Sequence, residues 1–142
     1  VIDLSIAAAD RLRAQIGSQL TLVGTLADFA ALADLPRSTP AAYVLPVGER
    51  AEASPTYGRH TQRHECTFDV LLIVRHAGDA SGGKSAAALQ TLRLAVQAAL
   101  VNWTPDADCG AVRFVAGDIA DYIDGTTIWR DGFSVERWVQ RG

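Results

Sequence analysis

Lysine is nearly absent from this chain, and its basic charge is nowhere concentrated. It holds a single lysine, Lys84, no run of Lys or Arg, and a formal net charge of −3. With no basic block, there is no electrostatic footprint for sequence-specific nucleic-acid binding. Cysteine is nearly as scarce. Cys66 and Cys109 stand far apart, with no C-x-x-C spacing and no secretory h-region, so the expectation is two reduced thiols in a protein made in a cytoplasm. No apolar run approaches the roughly 18 residues that would span a bilayer, and no signal peptide is visible. A soluble protein is therefore expected.

What the chain does contain is apolar side chains. Of its 142 residues, 49% are hydrophobic, enough for one domain with a real core over 1–142 and too few residues for two comfortable ones. The longest signal is TQRHECTFDVLLIVRH, 61–76, which reads as one uninterrupted strand. At about 3.3 Å per residue it spans roughly 50 Å, more than a compact domain of this size covers. Its even positions run Gln62, His64, Cys66, Phe68, Val70, Leu72 and Val74. The odd positions start polar at Arg63, Glu65 and Asp69 and turn apolar at Leu71 and Ile73. The first half is thus expected to be an arm that meets another subunit, and the second half core.

The flanking elements emerge from periodicity and punctuation. Asp3 caps a helix with Leu4, Ala8, Leu12 and Ile16 on one stripe, and Gly17 sits where a left-handed C′ residue would end it. After a short apolar stretch at 20–23, Thr25 and Asp28 form a T-x-x-D start for a second short helix, which Leu35-Pro36 stops. AAYVLPVG, opened by Pro40, reads as a strand in which Pro46 implies an edge position or a bulge. ERAEASPTYGRH, 49–60, reads as a long charged loop. A helix is expected over 85–102, covering one face of the sheet.

The last third reads as a hairpin about Asp124-Gly125, with Trp129, Phe133, Val135 and Val139 alternating on one face and Gly117 and Gly132 marking bulges or bends. Trp129, Trp138, Tyr122 and Phe133 are assigned to the core by default, and any that prove exposed would mark a subunit contact. The fold class is α+β: a mostly antiparallel β-sheet with a long protruding strand or hairpin, covered on one face by helices.

GDASGGKS, 78–85, matches the phosphate-loop pattern G-x-x-x-x-G-K-[ST] between a strand and a helix, with Gly78, Gly83, Lys84 and Ser85 in the key places. Such a loop would bind magnesium-nucleotide. Nucleotide-hydrolysing folds of that kind need further β-α units and an acid ending a second parallel strand. Here the helix leads into an antiparallel hairpin, whose one candidate acid, Asp118, sits after Gly117. The match is read as a decoy, with Ser85 as a helix cap. His60, His64 and Cys66 could be joined by Cys109 as metal ligands, but no fourth ligand has matching spacing, and no metal is expected. No G-x-S-x-G elbow assembles a catalytic triad. Asp118, Asp121 and Asp124 lack calcium-loop spacing and read as solvated. No catalytic residue and no cofactor are assigned.

Five pieces together carry a resemblance: IDLSIAAADRLRAQI, PAAYVLPVGERA, TFDVLLIVRH, ALQTLRLAVQAAL and DGTTIWRDGFSVERWV. Over nearly its whole length the chain resembles the tail terminator proteins of long-tailed bacteriophages, including those of prophages and transposable phages. The resemblance implies a non-enzymatic structural protein without cofactor, assembled in the host cytoplasm into a ring, commonly of six. That ring would sit in the virion at the head-proximal end of the tail tube, stop tube polymerisation and present a joining surface to the head connector. Its partners would be its own copies, the tail tube protein, the connector, and genome DNA passing through the lumen without sequence reading. From loop length and charge, Arg50, Glu52, Arg59, His60 and Arg63 are the candidate subunit or tail-tube contacts. Three other readings compete: another neck, head-closure or tail-completion protein; a small phosphate-loop nucleotide-binding protein; and a toxin or regulator with a ferredoxin-like sheet.

Overall fold

The computed structural model describes residues 2–34, 36, 38–52, 61–75, 83–123 and 125–140. Their elements run α1 (Leu4–Ile16), β1 (Leu22–Thr25), α2 (Leu26–Ala30), β2 (Ala41–Ala51), β3 (Thr61–Arg75), α3 (Gly83–Leu100), β4 (Arg113–Ile123) and β5 (Thr126–Gln140). The strands form one sheet in the order β1-β2-β3-β5-β4, antiparallel throughout except for the parallel β1–β2 pair. The α+β class and the mostly antiparallel sheet are as the sequence implied. No helix among the described residues is long and apolar enough to cross a membrane.

The strand parity of β3 divides the core. Phe68, Val70, Leu72 and Val74 turn to the face covered by α1 and α3, where Ala8, Leu12, Leu92, Val96 and Leu100 pack on them. Leu71 and Ile73 turn to the other face, where a smaller cluster with Tyr43 and Ile128 receives Phe29 of α2, its ring edge-on to Tyr43 at 5.4 Å. The long helices therefore cover one face, and the short α2 seals only one end of the other.

Local chemistry accounts for the ends of the elements. Asp3 caps α1 by accepting from the Ser5 and Ile6 amides at 3.0 and 3.2 Å. Thr25 and Asp28 form the expected capping box of α2, the Thr25 amide donating to Asp28 Oδ2 at 2.8 Å. Pro46 lies where β1 has ended and at a register shift between Pro46 and Gly48, so both readings of that proline hold. Gly125, in the hairpin turn, has φ 77.

Three expectations are corrected. Gly17 is right-handed, with φ −56, because the chain tightens into a 3-10 turn over Gly17–Gln19 instead of reversing. Helix α2 ends at Ala30, five residues before Leu35. β2 runs on through Glu49, Arg50 and Ala51, where polar composition implied a loop, because Cys66, Glu65 and His64 of β3 pair with them.

The first half of β3 is not an unpaired arm. β5 pairs with it from Thr61↔Gln140 to Arg75↔Thr126, and β2 pairs with it as far as Ala51↔His64. The arm is a three-stranded ribbon, and its central strand β3, paired on both sides, offers another molecule only its faces.

Candidate interaction surface

Beyond the reach of α2, the outer face of the ribbon carries charge in rows set by strand register. Arg50, Glu65 and Glu136 stand side by side across β2, β3 and β5, and Arg63 and Trp138 form the next row. Glu65 and Glu136, directly opposed, would repel if left alone. Arg63 relieves this from the neighbouring row, donating to Glu136 at 3.3 Å and forming an ion pair with Glu52. The hydrogen bond to Glu52, with Glu136 behind it, holds the Arg63 guanidinium above its ordinary pKa. Glu52 lies just past β2 and is tied back by its amide to the Arg63 carbonyl at 2.8 Å. Arg50 and Glu52 are exposed, and Arg50 has no ion pair among the described residues. Of the five candidate contact residues, the structure thus brings Arg50, Glu52 and Arg63 onto or beside one charged face. Arg59 and His60 lie outside the described residues.

The inner face of the ribbon is polar and partly buried. Glu49 Oε1 receives the His64 Nδ1 at 2.8 Å and the Cys66 thiol at 3.4 Å, which places His64 and Cys66 together as their shared parity implied. The His64 hydrogen bond is the main cause of a Glu49 pKa below the ordinary carboxylate value. Burial first, and then Glu49, push the Cys66 thiol up to about 11, so it is protonated at neutral pH. No group of three or more metal-ligating side chains forms among the described residues. Arg137, buried beside this cluster, donates to the Ile2 carbonyl at 2.7 Å and lines a groove of about 520 Å³ with Asp3, Pro46 and Glu49.

The phosphate-loop match falls largely on 78–82, outside the described residues. Gly83, Lys84 and Ser85 begin α3. β3, which leads into the loop, has antiparallel neighbours on both sides. Asp118, the one candidate second acid, is on the antiparallel strand β4, paired with Arg130 at 2.8 Å. That ion pair holds Asp118 below its usual pKa. Asp121 is exposed, as expected for a solvated acid, and Asp124 lies outside the described residues.

Two features carry no signal in the sequence. Every residue of β4 is exposed, with Phe114, Val115, Ile119, Tyr122 and Ile123 among the large apolar ones. Register shifts between Phe114 and Ala116 and between Ile119 and Asp121 break the period of two that would have flagged a one-sided strand. Of the four aromatic residues assigned to the core, Phe133 is buried and Trp129 packs against the core, while Tyr122 and Trp138 are exposed. The second feature is a buried acid, Asp131, held by Arg93 of α3 at 3.0 Å and by Trp129 Nε1 at 2.8 Å.

The sheet and its helices resemble a chain of a solved particle described as the virion of a native gene transfer agent. The two are 18% identical and superpose at TM-score 0.63, over 96% of this chain and 95% of the other. A second solved chain, 12% identical, superposes at TM-score 0.46 over 98% of this chain and 93% of its own. No curated protein matches the sequence. The family model for phage tail terminator proteins matches residues 2–141. The chain therefore belongs to the phage tail terminator family, and is a structural protein of the phage tail.

Proposed function

We propose that this protein closes a ring of six of its own copies on the head-proximal end of the tail tube. There it ends tube polymerisation and forms the surface on which the head connector seats, in the virion after assembly in the host cytoplasm. The observation that carries this reading is the family match over residues 2–141. The geometry supports it: one sheet, extended by a ribbon with a charged outer face, is suited to contact with a repeating partner. On this reading Arg50, Glu52 and Arg63, with Arg59 and His60, meet a neighbouring subunit or the tail tube. The chain acts as a single domain without enzymatic chemistry, cofactor or metal. The phosphate-loop match is incidental, since β3 lacks the parallel neighbour of a nucleotide fold.

The test is tube growth. Added to polymerising tail tube protein, the wild-type chain is expected to give capped tubes with a ring visible at one end by electron microscopy. Arg63→Glu sets a fourth acid among Glu52, Glu65 and Glu136 and is expected to abolish capping, with a thermal melt confirming that the variant remains folded. Tubes that grow unchecked with the wild-type chain would overturn the reading. Capping unaffected by Arg63→Glu would remove the ribbon from it.

A further inference from the structure

Two irregularities of the sheet fall beside one row. Pro46, Phe68, Phe133 and Phe114 are partners in succession across β2, β3, β5 and β4. Next to this row β2 and β4 both shift register, between Pro46 and Gly48 and between Phe114 and Ala116. Each shift leaves one valine without a partner, Val47 and Val115, and these are 59% and 61% exposed. Three strand spacings, roughly 14 Å, separate the two bulges. Between them lies a trough of about 320 Å³, with Val47 and Val115 at its margins and Thr67, Asp69 and Gly132 of the middle strands along its floor.

Gly132 keeps the floor open. A Cβ there would stand 3.3 Å from Asp69 Oδ1 and 3.5 Å from the Ala116 carbonyl, and a longer side chain would fill the space above. Asp69 is flanked across the sheet by Leu45 and Gly132, neither of which answers its charge. Arg130, the cation lining the trough, is turned to Asp118, with Nε on Oδ1 at 3.0 Å and Nη2 on Oδ2 at 2.8 Å. Asp69 forms no ion pair among the described residues. Burial raises its pKa above the ordinary value, and the nearby Arg130 offsets this only in part. A partly buried carboxylate left uncompensated is a cost to the free chain and an acceptor for a cation brought from outside. Thr67 and Asp69 continue the parity of Arg63 and Glu65 along β3, so the trough adjoins the charged rows on the same outer face.

We infer that the trough is a socket for one lysine or arginine side chain of the tail tube protein, its charged head on Asp69 and its aliphatic stem against an exposed valine. Charge decides the occupant. Arg130 and Asp118 cancel, so the trough carries the net negative charge of Asp69, which repels an acid, and an apolar group would bury Asp69 with no partner. The tube protein as the source rests on the tail reading above, whereas the basic side chain rests on the trough alone.

The probe is butylguanidinium, a stem and charged head without a peptide, and butylurea is its uncharged counterpart. Titrated into the full chain with methyl-labelled valines, butylguanidinium is expected to shift the Val47 and Val115 resonances saturably, in the millimolar range that so small a ligand allows. Butylurea is expected to leave them in place. Asp69→Asn is expected to weaken binding about tenfold. Asp118→Asn releases Arg130 to Asp69 and is expected to weaken it too, although Asp69 is untouched. Arg130→Gln leaves two free carboxylates and is expected to strengthen it several-fold. Asp69→Asn is expected to melt no lower than wild type, and to need about tenfold more protein to cap the same tubes.

Butylurea binding like butylguanidinium, or binding untouched by Asp69→Asn, would overturn the socket and leave capping standing. Capping by Asp69→Asn at the wild-type concentration would overturn the tube protein as the occupant. Loss of self-association in that variant would hand the trough to a neighbouring copy and overturn the assignment equally. A wild-type chain that caps no tube would overturn the tail reading and the tube partner together, while the butylguanidinium titration would still decide the socket.

Discussion

Asp131 is fully buried in a sheet strand, where a lone carboxylate would be costly. Arg93 reaches down from α3 to hold both its oxygens, Trp129 Nε1 donates to one of them, and the guanidinium lies 4.4 Å from the Trp129 ring centroid. The arrangement leaves no space above Gly117 on β4. A Cβ there would run into Asp131 Oδ1 and come within 2.7 Å of Arg93 Nη2. Arg93→Ala leaves the acid buried with one donor, and is expected to lower unfolding free energy by about 3–5 kcal/mol. Urea denaturation measures this. Adding Asp131→Asn to Arg93→Ala is expected to restore part of the loss, because the orphan charge is gone. None of this is legible in the sequence. Arg93 and Asp131 are 38 residues apart, Gly117 reads as a bend, and nothing in the local pattern of WRDGF marks an acid as buried.

At the scale of elements, sequence is informative wherever an element's end is fixed by its own residues. Asp3, the Thr25–Asp28 box, Pro46 and the Asp124-Gly125 turn all mark boundaries through local hydrogen bonding or φ preference. It fails where tertiary pairing decides. Glu49–Ala51 belong to β2 because β3 lies beside them, and their outer face is uncovered, so no apolar alternation announces a strand. β4 is legible as the first strand of the terminal hairpin, but its exposure on both faces is not, because its register shifts break the period of two. The cap of α1 gives a pH-dependent expectation. Hydrogen bonding, chiefly from Ser5, holds the Asp3 carboxyl below its ordinary value of 3.8. A lowered acid contributes stability above its unfolded pKa and loses it as pH falls through the folded one. Asp3→Ala is therefore expected to cost about 1 kcal/mol at pH 7. That difference should shrink as pH drops below 3.8. Thermal melts of both proteins between pH 7 and the acid limit check it, and a difference that does not vary with pH would remove the charged cap as the cause.

For the whole molecule, the scarcity of concentrated positive charge matters more than any single contact. Affinity for duplex DNA comes mainly from Lys and Arg neutralising phosphates and releasing counterions. Here the net charge is −3, and two arginines of the described outer face are taken up locally, Arg63 by Glu52 and Glu136 and Arg130 by Asp118, which leaves Arg50 exposed without an ion pair among the described residues. In the proposed ring, such subunits would offer passing DNA few phosphate contacts, where a basic lumen would grip it. Fluorescence anisotropy with a labelled duplex at physiological salt is expected to give a dissociation constant no tighter than roughly 10⁻⁴ M, the weak end of non-specific binding. Lowering the salt should strengthen binding little, because the slope counts phosphates contacted and few are. Micromolar binding with a steep salt dependence would mean that assembly gathers Arg50 and its neighbours into a basic surface, and that the ring holds the genome instead of letting it pass.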